Sequence, residues 1–255
     1  MSTSRIKIIQ INIYKGRYLD SLVDFLKAEN PDFITMQEVT EGSFNLSQGF
    51  GGNIFDLLKD RLGMQGVYNF DLICDDGAKM GNAVLGKHKL LESFVLTLRN
   101  GRVYGRDEFA KLTRFETIPR HLIDVVFKLG DTNLHVASWH GAWTAPPADT
   151  KETFRQSTLV YKYLKALEGP FILGGDLNAI IGSKTVDIIG KVANNLMLDS
   201  PADMTTNPKV HKIAPLGFLI DYIFVSSEFK VKSLRVPQVT VSDHLPVVAE
   251  VEISL

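Results

Sequence analysis

Carboxylates, carboxamides and histidines stand beside short apolar runs at several separate places in the sequence. Phe171-Ile172-Leu173 leads through Gly174-Gly175 to Asp176-Leu177-Asn178. Alternation along a strand turns Asp176 and Asn178, two positions apart, to the same face where the strand opens. Such a pair suits one metal ion or one phosphate, yet Gly, Asp and Asn are also the ordinary residues of turns, so this stretch alone leaves both readings open. Similar groups recur: Asn12 near the end of an isoleucine-rich run, Glu38 after Phe33-Ile34-Thr35-Met36-Gln37, and His140 after Leu134 to Trp139. Asp221 lies inside the apolar Leu219 to Val225, and Asp243-His244 stands just before Val247 to Ile253. An unpaired charge buried in a strand would be costly, so Asp221 needs a partner, and His244 is the obvious one. A carboxylate that orients an imidazole also raises its basicity.

The elements that must carry these groups follow from periodicity. Ile6 to Ile13 is β-branched and reads as a strand. Leu19, Leu22, Val23 and Leu26 recur at helical spacing, with Asn30-Pro31 as the stop. The next strand, Phe33 to Met36, completes a β-α-β unit that sets Asn12 and Glu38 on neighbouring strand ends, where open α/β sheets bind ligands. Glu41 to Asn53, with Phe44 and Phe50, reads as a surface loop. A helix from Ile54 to Leu62 precedes strands at Gln65 to Ile73, Lys79 to Leu85 and Leu90 to Leu98, which suggest an antiparallel meander. Asn82, in the second of these, has a plain strand residue as its local reading. His121 to Leu129 and Leu134 to Trp139 read as paired strands. Trp143 and Pro146-Pro147 form a stiff loop able to wall a pocket. A helix over Asp149 to Leu167, with Phe154 on its apolar side, leads to the Phe171 strand. Lys184 to Ile189 reads as a further helix, a short element lies near Leu196, and a polar connection runs from Pro201 to Pro215.

With 255 residues, 45% of them hydrophobic, the sequence supports one domain spanning 1–255 with a sizeable core. Net charge is −1, so there is no global basic excess to meet a polyanion. Local excess exists between Arg99 and Arg120, where Arg99, Arg102, Arg106, Lys111, Arg114 and Arg120 face Asp107, Glu108 and Glu116, giving six minus three, or +3. With Tyr104 and Phe109 interleaved, that segment could follow a phosphate backbone while its rings stack on bases; a solvated loop is the commoner meaning of a charge run. The single Cys74 excludes an internal disulfide, and the absence of a signal-like or membrane-spanning apolar stretch points to a soluble cytoplasmic protein, read here as a monomer.

Gln37-Glu38, Gly174-Gly175-Asp176-Leu177-Asn178, Ile220-Asp221-Tyr222-Ile223-Phe224 and Ser242-Asp243-His244-Leu245-Pro246, in this order and spacing, resemble the endonuclease/exonuclease/phosphatase superfamily. That superfamily includes pancreatic-type deoxyribonuclease, abasic-site endonucleases, neutral sphingomyelinases and inositol polyphosphate 5-phosphatases. The match runs from Asn12 to Val248. It implies a four-layer α/β/β/α sandwich of two mixed β-sheets packed face to face with helices outside, and Mg²⁺-dependent phosphoester hydrolysis. Carried over by residue, it makes Glu38 the main metal ligand with Asn12 and Asp243 beside it, and gives Asp176 and Asn178 the attacking water; that implied ligand set is oxygen-rich, which favours Mg²⁺ or Mn²⁺ over Zn²⁺. His244, held by Asp221, stabilises the transition state or serves as base, and His140 matches the family's second histidine. Asn82 and Arg120 resemble less constant positions, either on the phosphate side or behind it in support of the ligands. Ile11-Asn12-Ile13-Tyr14, Leu85-Gly86-Lys87 and His140-Gly141 depart from the abasic-endonuclease pattern, which argues against abasic-DNA specificity.

Three functions follow. The first is a nuclease on DNA or RNA, in which reversing Arg102 and Arg106 weakens binding. The second is a phosphoesterase for a small-molecule or lipid head group, sphingomyelinase- or inositol-phosphatase-like. The third, a binding module without catalysis, conflicts with the complete set of Glu38, Asp176, Asn178, Asp221, Asp243 and His244.

Overall fold

The computed structural model describes residues 3–44, 52–105, 107–108, 111, 113–211 and 216–254. β1 (Thr3–Asn12) is buried on both faces through Ile6, Ile8, Ile9 and Ile11, which accounts for its β-branched run. α1 (Leu19–Glu29) buries Leu22, Val23 and Leu26 and ends at left-handed Asn30. β2 (Phe33–Glu41) then runs parallel to β1, completing the β-α-β unit. α2 (Ile54–Leu62) is capped by Asn53, whose Oδ1 accepts from Phe55 N, and closes at Gly63 with φ +63°. The chain continues through β3 (Gln65–Cys74), β4 (Lys79–Gly86), β5 (Leu90–Arg99), β6 (Val103–Tyr104), β7 (Arg120–Leu129) and β8 (Thr132–His140). It ends with α3 (Lys151–Ala166), β9 (Phe171–Asp176), α4 (Lys184–Asp187), β10 (Asn194–Asn195), β11 (Asp221–Val225), β12 (Phe229–Arg235) and β13 (Val247–Ser254).

Among the described residues these strands form two mixed sheets, ordered β12-β13-β1-β2-β4-β3-β6 and β10-β11-β9-β8-β7-β5. Their inner faces pack Ile8, Phe33 and Val84 against Val125, Val136, Ile172 and Ile223. α1 and α2 cover the outer face of the first sheet, and Val160 and Leu164 of α3 join the core beneath the second, giving the expected four layers.

Polar groups replace the apolar core at one end of this sandwich. Gln10 Oε1 accepts from Thr35 Oγ1 (2.7 Å), and Gln37 Nε2 donates to Ser138 Oγ (3.0 Å), which donates to Met36 O (3.0 Å). Gly174 is glycine because a Cβ there would overlap Thr35 Oγ1, and Gly175 because one would lie 2.5 Å from Trp139 O. Gly174 thus serves the approach of the facing sheet and Gly175 that of the neighbouring strand β8, and neither serves a turn. Gly174→Ala is expected to cost about 1–3 kcal/mol as an overpacking change, measured by urea denaturation; unaltered stability would contradict this account.

Several expectations need correction. β5 does not continue a meander with β4; it crosses to the second sheet and pairs with β7. β12 was not anticipated, because its exposed face masks the period-two pattern. Phe154 of α3 is 43% exposed, not on the buried side. Asp149 precedes α3, whose cap is Thr150, and its carboxylate instead accepts from Lys184 N (2.8 Å) and Thr185 N (3.1 Å) at the start of α4. Phe50, Arg106, Phe109 and Pro215 lie outside the described residues.

Candidate active site

Strand register brings the chemical groups together. Asn12 is paired with Gln37 in the parallel β1/β2 ladder, and the β2/β4 ladder slips between Met36 and Val39. Within that irregularity Glu38 takes φ +54°, a backbone state that costs of order 1–3 kcal/mol and turns its carboxylate into the cavity rather than along the pleat. In the second sheet His140 pairs with Asp176 and Asp176 with Asp221, so three neighbouring strands carry the groups side by side.

Asp176 is the hub. Its Oδ2 accepts from Asn12 Nδ2 (3.0 Å) and lies 3.4 Å from His140 Nε2 and 3.8 Å from His244 Nε2. Its Oδ1 accepts from Asn178 N (3.0 Å). Asn178, at φ +51°, sends its Nδ2 to Gly141 O (3.3 Å), where a Cβ on Gly141 would overlap Leu177 O. His244 Nδ1 donates to Asp221 Oδ2 at 2.8 Å, the partnership the buried carboxylate requires. Asp221 N is in turn held by Thr205 Oγ1 (3.0 Å), and Ser242 Oγ donates to Asn12 O (2.6 Å), tying the last loop to the first strand.

The groups share a cavity of about 300 Å³ lined by Asn12, Glu38, Arg120, His140, Asp176, Asn178, Asp243 and His244. Burial alone would depress the His244 imidazole, but Asp221 and Asp176 raise it well above its ordinary range, so it is cationic. Burial and then the Arg120 charge push His140 well below that range, so it is neutral. Asp176 is lifted by burial and the nearby Asp221 to about 7 against the pull of His244. Burial raises Asp243 to about 6. Glu38 is held down to about 2, because Lys15, His140 and His244 outweigh its desolvation.

Asn12, Glu38 and Asp243, each with a side-chain oxygen, are among the residues lining this cavity. The Lys15 ammonium, 2.7 Å from Glu38 Oε2, shows that a cation is accommodated there, so the residues present fit a hard divalent ion. Two further groups, Asp176/Asp221/His244 and His211/Asp243/His244, also bring possible ligand atoms within 4.8 Å of one another. In the first, the close contact is already explained by the His244–Asp221 hydrogen bond.

Not every expected residue arrives. Asn82 is fully buried and absent from the cavity lining; its Nδ2 donates to His121 O (3.0 Å), which ties it to β7, while its Oδ1 has no hydrogen-bond partner among the described residues. Arg120 does reach the cavity, with Nε on Gly141 O (2.9 Å) and Nη1 on Pro119 O (3.2 Å). The basic segment is partly neutralised: Arg102 forms a two-point pair with Glu108, and Arg99 lies 3.3 Å from Glu152. Sequence reasoning missed Lys15 and His211, both in irregular stretches where no periodicity marks a direction. It did anticipate Trp143 as a wall; the ring stacks on Phe115 at 3.9 Å.

No curated protein sequence matches the chain significantly. Solved structures do. An endonuclease/exonuclease/phosphatase from Bacteroides vulgatus superposes with TM-score 0.74 at 19% identity, covering 98% of this chain and all of that one. The Bacteroides thetaiotaomicron mannosyl-6-phosphatase Bt3783 gives 0.69 at 18%, covering 96% and 99%. A humanized D. rerio TDP2 gives 0.70 at 16%, covering 97% and 98%. At these identities the likeness is one of fold. The sequence model of the Endonuclease/Exonuclease/phosphatase family matches residues 9–244, a span that contains every group at the hub of the cavity. The chain therefore belongs to the endonuclease/exonuclease/phosphatase family and is a phosphoester-hydrolysing enzyme.

Proposed function

We propose that this enzyme is a Mg²⁺-dependent phosphodiesterase that cleaves DNA or RNA, Mn²⁺ substituting. The observation that carries the chemistry is the convergence on Asp176 of Asn12, His140, Asn178 and His244 beside the Glu38/Asp243 side of one cavity. Asp176, oriented by Asn12 Nδ2 and Asn178 N, accepts the proton of the water that attacks phosphorus. His244, cationic and fixed by Asp221, faces the negative charge that builds on the phosphoryl oxygens, and neutral His140 donates a hydrogen bond to them. Arg120 brings a further positive charge. A divalent ion held by Glu38, Asp243 and Asn12 would neutralise the non-bridging oxygens as a Lewis acid. The stacked Trp143 and Phe115 offer a nucleobase a platform beside the phosphate site.

One observation favours a second reading, a small or lipid head-group phosphoester: the pairing of Arg102 and Arg99 with acids leaves less positive charge for a polyanion. A panel of single-stranded, duplex, nicked and abasic oligonucleotides with Mg²⁺, Mn²⁺ or EDTA decides between them. Metal-dependent cutting of any oligonucleotide supports the nuclease; cleavage of soluble phosphodiesters alone moves the substrate to the second class. Among the described residues no helix is long and apolar enough to cross a membrane. The same reading places the enzyme in the cytoplasm as a monomer and single domain, with Cys74 buried and in no disulfide.

The electrostatics give a pH dependence. Asp176 must be ionised to take a proton, and burial lifts it to about 7, so kcat/KM should fall toward acid, approaching about tenfold per pH unit below the group's pKa. A bound cation moves that limb to lower pH without reversing it. A pH–rate profile at saturating metal checks this; activity rising on acidification would contradict it.

A further inference from the structure

One charged group in the cavity has no part in the chemistry above. Lys15 lies three residues beyond Asn12, in the turn Tyr14-Lys15-Gly16, whose φ values of +49°, +56° and +69° are all left-handed. Holding two consecutive non-glycine residues in that region costs of order 1–3 kcal/mol each and requires outside support. Asn12 supplies some of it, since its Oδ1 accepts from Tyr14 N at 3.0 Å. The turn directs the lysine inward, so that Nζ lies 2.7 Å from Glu38 Oε2 with the side chain only 31% exposed. Glu38 itself reaches that ammonium from a left-handed backbone at φ +54°. Strained backbone on both sides of one ion pair marks a built contact, unlike a surface pair that two flexible side chains happen to make.

That contact occupies the carboxylate to which the metal-dependent reading assigns the divalent ion, and the inference rests on that reading. An ammonium and a divalent cation on the same carboxylate would place three positive charges within a few ångströms. We propose that Lys15 is a resident counter-ion which a divalent metal must displace from Glu38, so that this lysine sets the metal affinity and keeps Glu38 compatible with Asp243 while the metal is away. Asp243 shares the cavity and adds to the field on the same ammonium. Without Lys15 the metal meets no competitor, and the metal-free protein holds two carboxylates facing one another.

The test is Mn²⁺ binding to the full chain by calorimetry, without substrate, together with thermal unfolding with and without the ion. Lys15→Met should bind Mn²⁺ about tenfold more tightly than the unsubstituted protein, as expected for removal of one charged hydrogen-bond competitor. Its metal-free form should melt at a lower temperature and regain the difference at saturating Mn²⁺. Lys15→Asn, whose residue type enters the left-handed region more readily, gives the same test if the methionine strains the turn. Lys15→Arg should stay near the unsubstituted affinity. Unchanged or weaker binding in both Lys15→Met and Lys15→Asn overturns the proposal. So does an equal gain in Arg120→Gln, which would reduce the effect to general charge in the cavity. Glu38→Gln should abolish the gain; if it leaves Mn²⁺ binding untouched in the unsubstituted protein, the metal site itself is misplaced, a different failure from the first.

Discussion

Asp176→Asn is expected to lower kcat/KM by on the order of 10³-fold while leaving the fold intact. The amide keeps the shape of the carboxylate and retains an oxygen for Asn178 N or Asn12 Nδ2, each 3.0 Å away. It cannot accept the proton of the attacking water, nor offset the cationic His244 at 3.8 Å. Removing a carboxylate that burial destabilises should raise stability slightly, so a fall in rate with an unchanged or higher melting temperature separates chemistry from folding. Near-normal turnover in this variant would remove Asp176 from the role given to it.

His244→Ala should damage both properties. Loss of a cation aimed at the developing phosphoryl charge is expected to cost roughly 10²–10³-fold in rate. The same change strips Asp221 of its 2.8 Å partner and leaves it near Asp176, both almost wholly buried. Breaking a buried pair from one side typically costs about 3–5 kcal/mol, because the remaining charge stays desolvated. The pH dependence fixes the sign. A buried carboxyl whose folded pKa is raised, as Asp176's already is, penalises the fold fully above that pKa, and the penalty fades as pH falls and the proton returns. The stability gap between His244→Ala and the unsubstituted protein should therefore narrow between pH 7 and pH 4 in urea titrations. A gap independent of pH would mean that the imidazole does not balance these carboxylates.

The parts of this architecture that were legible in the sequence are those where one side chain type reports one environment. The isoleucine run from Ile6 reads as a strand buried on at least one face, and β1 proves buried on both; Asn30-Pro31 reads as the stop of α1, which ends there. The Asp221 carboxylate in an apolar strand demanded a partner, and His244 supplies it. Gly174-Gly175 was ambiguous because glycine reports space without saying what fills it; only Thr35 of the facing sheet and Trp139 of the neighbouring strand β8 show why no side chain fits. The crossing of β5 to the second sheet was hidden because β5 and β3 look alike to a periodicity of two, and pairing partners are not encoded locally. Asn82 was ambiguous for the converse reason: a strand amide whose Nδ2 is held by His121 O looks, in sequence, the same as one aimed at phosphate. Lys15 was silent because its direction depends on left-handed backbone at positions where residue type gives no notice.

The most direct test of the central claim is hydrolysis of bis(p-nitrophenyl) phosphate by the purified chain, with Mg²⁺ and with EDTA, alongside Asp176→Asn. Release of p-nitrophenolate that requires Mg²⁺, stops with EDTA and is lost in Asp176→Asn is the predicted result. Release that persists in EDTA, or that Asp176→Asn sustains at the full rate, would contradict metal-assisted attack of water at this cavity.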